Sequence, residues 1–517
     1  MQWINRTTSK ESSAVRIKFR PESLIENQME KDANRDIGYL LGLSNDYEIE
    51  NPNVTGLALD SRKVKAGFIF FALRGTRQNG EDFAKAAQDN GAIAIVAKNH
   101  IDGLSIPVII VDDPYQTMSE AASKFYPMQP QTVIAVTGTN GKSSTVDFLR
   151  QIWAHAEHKA ASLGTLGAIT PDGAINLGFT TPDAIALHQN LEMLAQKGIT
   201  NLAMESSSHA LDQKRMHGVK LVAGGFTNLT QDHLDYHNTM AEYGKAKMIL
   251  FEKLLPKSAP AIINADATEA PAFEKCVDQA GLDLKLVGWR GTYLKIQELW
   301  PKPASQRVDY RFENKTWPVE IPLIGEFQAL NATMAAGFAL ALGEKPEVVF
   351  AAMAKLRTVK GRMEHIGETK SGAHVFVDYA HTPDGLDVLL RAIRPHAPGK
   401  IILVFGCGGD RDKTKRPRMG AIGGKYADVV IVTDDNPRTE DAATIRREVI
   451  MGVPNAIEIG DRHDAIIRGL FVAQNGDAVI IAGKGHETGQ IVGNDVLPFS
   501  DQDTVVQFLN VNGGKIA

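Results

Sequence analysis

The feature that most constrains this chain is a glycine-rich loop between a short apolar segment and a helix. The run TVIAV (132–136) is typical of a buried strand, the loop TGTNGK (137–142) follows it, and a helical pattern begins at about Lys142. Glycines allow backbone N–H groups to face phosphate oxygens, and the start of a helix adds positive potential there. The order of strand, loop and helix therefore predicts a parallel-sheet α/β domain that binds a nucleotide.

Two side chains at the end of this loop strengthen the phosphate interpretation. Lys142 would reach the β and γ phosphates, and the hydroxyl of Ser143 would ligate magnesium. The full phosphate-loop pattern has a glycine at the position of Val136, so this loop is a shortened variant. The alternative is a glycine turn that only precedes a helix, and the strand, lysine and serine together favour phosphate binding.

The last third of the chain alternates strands and helices most regularly. We expect strands at 375–380, 400–406, 428–433 and 478–483, and helices at 383–394, 441–450 and 463–473. Continuous Val and Ile strands covered by helices on both faces are typical of a doubly wound parallel sheet. Ligands bind at the carboxyl ends of strands in such sheets, so the loops after these four strands are candidate ligand sites.

The first part of the chain predicts a smaller α/β unit. Strands are expected at 67–73, 92–97 and 107–113, a helix at 81–91, and a proline-containing linker at 124–131. At about 150 residues per domain, the 517 residues correspond to about three domains. We place these domains at residues 1–127, 128–358 and 359–517. Residues 1–30 show no sustained hydrophobic period, so we expect a dispensable leader, with either Met1 or Met29 as the natural start.

Composition excludes several classes of protein. Apolar residues make up 43% and charged residues 23% of the chain, which argues against a mostly disordered protein. A net charge of −5 argues against a basic nucleic-acid binder. No apolar run approaches the roughly 18 residues of a membrane span, and the two cysteines lie far apart. We therefore expect a cytoplasmic protein in a reducing compartment, with no membrane span and no disulfide scaffold.

Two polar segments of the central unit are further candidate sites. Glu205 ends the expected strand 201–205, where a carboxylate would help to hold magnesium, although SSSH after it also fits a helix cap. His233 and His237 are spaced i and i+4, as in a zinc-binding helix. That zinc motif needs a glutamate where the chain has Leu234, which favours a polar helix start instead.

Four polar loops follow the four strands of the last unit. They are DYAHTPDG (378–385), GCGGDRDKTKRPRMG (406–420), TDDNPRTED (433–441) and AGKGHETGQ (482–490). The carboxyl ends of parallel strands meet at one edge of a sheet, so these loops are expected to converge. Acidic, amide and forked arginine groups gathered there suit a zwitterionic ligand that resembles an amino acid.

The ordered set TGTNGKSS, ESSSHALDQ, DHLDYH…AK, GRME, DYAHTP, GGDRD, DNPR and GKGHE resembles the Mur ligases of bacterial cell-wall synthesis, from about Leu57 to the C-terminus. The resemblance implies a three-domain α/β ligase: a small UDP-binding domain, a central ATP-binding domain and a C-terminal Rossmann-like domain. The arginine of DNPR is characteristic of members that add meso-diaminopimelate to the D-glutamate of UDP-N-acetylmuramoyl-L-Ala-D-Glu. ATP and Mg²⁺ would form an acyl phosphate, which the incoming amine attacks.

The resemblance also implies roles for the residues of the central domain. The ATP loop would comprise Gly138, Thr139, Asn140, Gly141, Lys142, Ser143 and Ser144. The remaining ATP contacts would be Asn331, Arg362 and Asp378, with His381 nearby. The implied catalytic residues are Lys142, Glu205, His233, Lys247, Asp378 and His381. Magnesium would be held by Ser143, Glu205, His233 and Lys247, the last of these as a carbamylated lysine.

Two further sets complete the implied sites. The sugar-peptide substrate would contact Ser61, Thr180, Thr181, Ser207, Gln213 and Arg215. Diaminopimelate would contact Arg411, Asp435, Asn436, Arg438, Gly483 and Glu487. A monomer without nucleic-acid partners is expected. The alternatives are a ligase of the folylpolyglutamate-synthetase type, a metallohydrolase built on the histidines, and a non-catalytic nucleotide-binding regulator.

Overall fold

A computed structural model describes residues 14–16, 35–43, 53–75, 79–165, 167–175, 182–230 and 234–517. Three large sheets of five, eleven and seven strands follow one another along the chain, each with its own helices, and the last part also holds a separate two-stranded sheet. This three-domain α/β architecture is the fold class that the sequence predicted. Among these residues no helix combines the length and the apolar character needed to cross a bilayer.

The first sheet has five parallel strands in the order β1-β5-β4-β3-β2. The elements are β1 (Ala14–Arg16), α1 (Ile37–Leu41), β2 (Gly56–Ala58), β3 (Phe68–Phe71), α2 (Ala84–Asp89), β4 (Ala92–Ala97), β5 (Val108–Ile110) and α3 (Pro114–Phe125). Asp113 caps α3 by accepting the Gln116 N–H, and Pro114 occupies its first turn. Because α3 continues to Phe125, the linker expected from residue 124 begins after the helix.

The predicted leader contributes one element that the structure describes. Strand β1 pairs in parallel with β5 at the edge of the first sheet. The other residues of the segment 1–30 lie outside the described part of the chain. Whether this segment is dispensable stays a prediction, as do the three domain boundaries.

The second sheet is built around the strand that precedes the phosphate loop. Its elements are β6 (Thr132–Thr137), α4 (Lys142–His155), β7 (Ala160–Gly164), β8 (Gly167–Thr170), β9 (Gly173–Ile175), α5 (Ala184–Gln196), β10 (Asn201–Glu205), α6 (Ser208–Asp212), β11 (Ala223–Phe226), α7 (Leu234–His237), α8 (Met240–Ile249), β12 (Pro260–Asn264), α9 (Ala270–Gln279), β13 (Asp283–Gly288), β14 (Leu294–Lys302), β15 (Ser305–Phe312), β16 (Lys315–Ile321), α10 (Glu326–Ala341) and α11 (Pro346–Met353).

The strand order β16-β15-β14-β13-β12-β11-β6-β10-β7-β8-β9 places β6 between β11 and β10. The seven strands from β14 to β7 pair in parallel, and both ends of the sheet continue as antiparallel strands. The loops after β6, β10 and β11 therefore open at one edge, which brings the phosphate loop, Glu205 and Thr227 together. The antiparallel extension β14–β16 was not predicted from the sequence.

The third sheet has the order β21-β20-β19-β22-β18-β17-β25, with parallel pairing from β21 to β18. Its elements are β17 (Glu364–Glu368), β18 (His374–Asp378), α12 (Pro383–Ile393), β19 (Ile401–Phe405), α13 (Lys415–Tyr426), β20 (Val429–Val432), α14 (Ala442–Ile450), β21 (Ile457–Glu458), α15 (Arg462–Val472), β22 (Ala478–Ala482), the hairpin β23 (Gly489–Val492) and β24 (Asp495–Pro498), α16 (Asp501–Asn512) and β25 (Lys515–Ile516). The predicted doubly wound sheet is present, and its strand order reverses between β19 and β22, where such sheets bind ligands.

Candidate active site

The loop between β6 and α4 is held in a conformation that only glycine tolerates. Gly138 has φ 146°, and a Cβ there would lie 1.9 Å from Thr227 Oγ1. Gly141 has φ 84°, and its Cβ would lie 2.3 Å from Asn331 Oδ1. Asn331 reaches the loop from α10, far along the chain. The loop therefore keeps the backbone path that a phosphate-binding turn requires, with the N-terminus of α4 behind it.

Lys142 and Lys247 converge on one carbonyl of this loop. The Lys142 ammonium donates to Gly138 O at 2.9 Å and to Thr139 O at 2.8 Å. The Lys247 ammonium, buried in α8, also donates to Gly138 O at 2.9 Å and lies 4.3 Å from the centre of the Tyr243 ring. Two cationic groups are thus gathered at the loop, where anionic phosphates would be stabilised.

Ser143 and Glu205 form a pair of oxygen donors beside the loop. The Ser143 hydroxyl donates to Glu205 Oε1 at 2.8 Å, and the Thr165 N–H donates to the same oxygen at 3.0 Å. Glu205 is only 2% exposed, at the end of β10. A hydroxyl and a carboxylate are ligands that Mg²⁺ prefers, so these side chains fit a magnesium site.

The histidines of the central domain are only partly described. His237 is buried in α7 and shares a hydrogen bond of 2.9 Å with Ser208 Oγ. His233 lies outside the described residues, so its pairing with His237 and its role as a metal ligand stay predictions.

A cavity of about 620 Å³ lies between the first sheet and the second. It brings together three of the residues expected to contact the sugar-peptide substrate, namely Ser61, Gln213 and Arg215. Ser207, also expected there, caps α6 by accepting the Ala210 N–H at 3.2 Å. Thr180 and Thr181 lie outside the described residues. The cavity is also lined by Leu59, Asp60, Arg62, Phe70, Leu73, Gly75, Gly80, Phe83, Tyr115, Met118 and Asp183.

The predicted convergence of the third-domain loops is seen in direct contacts between them. The Arg438 guanidinium donates to Gly409 O at 2.7 Å, and the Gly409 N–H donates to Asn436 O at 2.9 Å. Gly483 has φ 116°, and a Cβ there would lie 2.6 Å from Asp435 Oδ2. The loops after β19, β20 and β22 therefore form one site.

A hydrogen-bonded cluster inside this site includes a residue that the sequence did not single out. Asn436 Nδ2 donates to Glu487 Oε2 at 2.9 Å, and the Lys484 ammonium donates to the same oxygen at 3.0 Å. Burial raises the pKa of Glu487, but these two donors outweigh it and hold the pKa below its usual range. Lys484 stands in GKGHE next to the glycine assigned to the ligand, and that position is the only sequence signal for it.

A buried ion pair holds the loops after β20 and β22 in place. Arg462 and Asp501 are fully buried and share two hydrogen bonds of 2.7 Å. Arg462 also donates to Ala482 O at 3.1 Å and to Asp434 O at 3.4 Å. Each carbonyl directly precedes an expected ligand residue, so the pair ties the carboxyl ends of β20 and β22 together.

Of the residues expected to complete the ATP site in the third domain, Arg362 precedes β17, Asp378 ends β18 and His381 follows it. Asp378 accepts the Met363 N–H at 2.6 Å and the Ala380 N–H at 2.7 Å, while burial raises the pKa of its carboxyl group. The Arg362 guanidinium lies 4.9 Å from the centre of the Tyr379 ring. His381 is exposed and shares a hydrogen bond of 2.9 Å with Tyr379 O. Arg411, which was expected to contact the amino acid, is also exposed.

Within the described ranges, no direct hydrogen bond connects residues 138–144 with residues 435–438 or 483–487. A reaction that uses both sites would place its intermediate between the two domains, where closure would exclude water.

Comparison with protein families accounts for most of the chain in three consecutive segments. Residues 53–126 match the model described as "Mur ligase family, catalytic domain", residues 136–339 match "Mur ligase middle domain", and residues 361–485 match "Mur ligase, glutamate ligase domain".

Individual proteins extend this similarity. A protein from Mesorhizobium japonicum named UDP-N-acetylmuramoyl-L-alanyl-D-glutamate--2,6-diaminopimelate ligase is 47% identical over 454 residues, which is 87% of this chain and 94% of that protein. A solved structure of a ligase with the same name has a TM-score of 0.73 at 31% identity and covers 93% of this chain and 99% of its own. Mycobacterium tuberculosis folylpolyglutamate synthase complexed with ADP has a TM-score of 0.58 at 17% identity, covering 72% and 92%, and shares the fold alone.

Proposed function

The chain belongs to the Mur ligase family, and on that premise we propose that it joins meso-2,6-diaminopimelate to the D-glutamate of UDP-N-acetylmuramoyl-L-Ala-D-Glu at the expense of ATP. The observation that carries this specificity is the cluster of Arg438, Asn436 and Glu487 at the switch point of the third sheet. Forked donors and a carboxylate in one site match the distal carboxylate and distal ammonium of diaminopimelate. The product would be a precursor of peptidoglycan.

The glutamate side-chain carboxylate is a poor electrophile, so amide formation requires its activation. Transfer of the γ-phosphoryl group of ATP to the glutamate side-chain carboxylate forms an acyl phosphate and leaves ADP. The amine of the amino acid then attacks the carbonyl carbon of the acyl phosphate, loses a proton and displaces inorganic phosphate, which leaves an amide. Phosphoryl transfer depends on cations placed where negative charge gathers. Lys142 supplies one such cation at the loop, and the backbone N–H groups at the start of α4 supply further donors.

We propose that Mg²⁺ is bound by Ser143 and Glu205, with His233 and carbamylated Lys247 as further ligands. An ammonium group repels a divalent cation, whereas a carbamate offers it oxygen atoms. Lys247 is buried beside the loop, with its side-chain nitrogen 2.9 Å from Gly138 O, and this position supports its assignment to the site. Bound Mg²⁺ would neutralise the phosphate charge that develops during transfer.

A cytoplasmic, monomeric enzyme is the setting that we propose. Both cysteines are free and buried, which is consistent with a reducing compartment.

Phosphate release tests this function directly. The purified chain is incubated with ATP, Mg²⁺ and the UDP-muramoyl dipeptide, and meso-diaminopimelate is compared with L-lysine. We expect rapid release with diaminopimelate and little with lysine. Release with lysine alone would overturn the amino-acid assignment, and no release with either would overturn the ligase assignment.

A folylpolyglutamate-type ligase is the weaker candidate. The similarity to the Mycobacterium tuberculosis enzyme concerns the fold alone. The large cavity between the first and second sheets and the DNPR loop both favour the UDP-muramoyl ligase. A folate substrate in the same release assay distinguishes the two.

The sugar-peptide cavity is braced by Lys214, the residue between Gln213 and Arg215. Lys214 has φ 54°, and its carbonyl accepts a hydrogen bond of 2.6 Å from Ser119 on α3. Its ammonium pairs with the α3 cap Asp113. This bridge between the first and second domains holds the turn that carries two expected substrate contacts.

We expect Lys214→Met to raise the KM for the UDP-muramoyl dipeptide about two- to fivefold, because a partly exposed ion pair contributes up to about 1 kcal/mol. The KM for ATP and kcat should change little. Lys85→Met, which removes an exposed helical ion pair with Asp89, is the matched control. An unchanged KM for the dipeptide would show that the bridge does not shape the cavity.

A further inference from the structure

Lys484 is a fully buried cation that the proposed reaction does not yet use. It follows β22, and its side chain is 0% exposed. Its ammonium donates to Glu487 Oε2 and to Asn436 Oδ1, both at 3.0 Å. Both of its partners are residues that we propose as contacts of the amino-acid substrate.

The three side chains form a closed ring of hydrogen bonds. Asn436 Nδ2 donates to Glu487 Oε2 at 2.9 Å, and the Ile491 N–H donates to Asn436 Oδ1 at 2.9 Å. This pattern determines which way the Asn436 amide faces, because its oxygen accepts from Lys484 and Ile491. Glu487 Oε2 takes two donors, while Glu487 Oε1 makes no hydrogen bond to another described residue.

The stability of the fold does not by itself explain such a group. Removing an ammonium from water is costly, and a buried ion pair often adds little net stability compared with apolar side chains of the same size. Lys484 has one acidic hydrogen-bond partner, and that partner is one-third exposed towards the site. Glu487 is therefore exposed to the site, and the buried charge of Lys484 holds it in position.

We propose that Lys484 is a positioning residue of the amino-acid site. Building on the proposed function, it fixes Glu487 through Oε2 so that Oε1 meets the distal ammonium of diaminopimelate, and it fixes Asn436 beside it. Lys484 itself would not contact the substrate and would act only through these two residues. Without it, Glu487 loses its partner charge and one of the two donors to Oε2, and the distal ammonium loses a firmly oriented acceptor.

A cycle that pairs an enzyme variant with a substrate analogue tests this role. Diaminopimelate is compared with 2-aminopimelate, which keeps the distal carboxylate but has no distal ammonium. We expect Lys484→Met to lower kcat/KM for diaminopimelate roughly 10- to 100-fold, since hydrogen bonds to charged groups are among the strong ones. The same variant should change kcat/KM for 2-aminopimelate by less than about threefold, and the KM for ATP should not move.

The controls separate this role from general damage to the fold. Lys400→Met removes an exposed lysine at the opposite end of the neighbouring strand and should match the wild type with both amino acids. If Lys484→Met does not fold, Lys484→Gln, which keeps a hydrogen-bond donor, is put through the same cycle and should show a smaller loss confined to diaminopimelate. Equal losses with the two amino acids, or no loss with either, would overturn the proposal. Failure of the wild type to use diaminopimelate would instead overturn the proposed function.

Discussion

Lys142→Ala is expected to lower kcat by roughly 10³-fold or more while the protein stays folded. Lys142 is the first residue of α4, and its ammonium lies against the loop carbonyls of Gly138 and Thr139. A phosphate bound by this loop would lie within reach of that charge. In the transition state the charge of the transferred group spreads over its oxygens, and alanine offers nothing to balance it.

The loop itself should survive this substitution. Gly138 O keeps its hydrogen bond from Lys247, and Gly138 and Gly141 remain packed against Thr227 and Asn331. The thermal unfolding midpoint should therefore change far less than kcat. A variant that melted many degrees lower would point to a structural role for Lys142 instead.

Phosphate release under saturating substrates measures the effect, and Lys245→Ala is the matched control. Lys245 is exposed on α8, two residues before Lys247, so its removal costs one positive charge near the site without touching the loop. We expect it to retain nearly full activity. A Lys142→Ala enzyme that turned over at the wild-type rate would refute the phosphate-loop assignment.

Several buried strands were predictable because they are short and mostly apolar. The strand expected at 92–97 is β4 and the one expected at 201–205 is β10, with the same bounds. Both strands are almost entirely buried, which explains why their sequences are dominated by apolar residues. The strands of the third domain were predicted to be parallel, so the loops after them were expected at one edge of the sheet. This is why the third-domain site could be anticipated from four separate motifs.

The antiparallel extension β14–β16 could not be predicted in the same way. Alternation of buried and exposed residues in these strands is itself a strand signal, but β14 and β16 contain Pro301 and Pro318 among charged side chains. Proline and lone charges usually argue against a strand, but here both prolines lie in the edge hairpins outside the parallel part of the sheet. The pairing partners, not the local sequence, make these strands.

Contacts between distant parts of the chain were equally invisible in the sequence. Asn331 meets Gly141 because α10 packs on α4, and Lys484 meets Asn436 because β22 lies beside β19 and near β20. No spacing rule links positions so far apart. The sequence motifs identified most of the residues that we propose as substrate contacts. The side chains that hold those residues in place, Lys484 and Arg462, were recognised only from the three-dimensional structure.

Arg438→Ala is expected to reduce kcat/KM for diaminopimelate by roughly 10³-fold and to leave the KM for ATP nearly unchanged. Within the described residues its guanidinium makes one hydrogen bond, from Nη1 to Gly409 O at 2.7 Å. The other N–H donors remain for a carboxylate, which a guanidinium binds through two parallel hydrogen bonds. Alanine would leave the distal carboxylate of the substrate without a partner in a half-buried site.

The substitution of Arg438 should leave the backbone conformation at this position unchanged. Arg438 has φ 53°, a conformation that costs alanine and arginine about equally because both carry a Cβ. Its N–H donates to Ile491 O at 3.0 Å and its carbonyl accepts from Gly493 at 2.7 Å, and neither bond involves the side chain. The loop should therefore keep its path, and the loss should report the guanidinium alone.

Discrimination against L-lysine gives the decisive measurement. Lysine has no distal carboxylate, so with the wild type it leaves Arg438 unpaired, and a site built for a polar group can reject such an analogue by about 10⁴-fold. Removing Arg438 takes that penalty away, so the preference for diaminopimelate should shrink by two or more orders of magnitude. Arg447→Ala, on the exposed side of α14, should preserve both the rate and the preference. Equal losses of ATP and diaminopimelate use in the Arg438 variant would mean that the amino acid binds elsewhere.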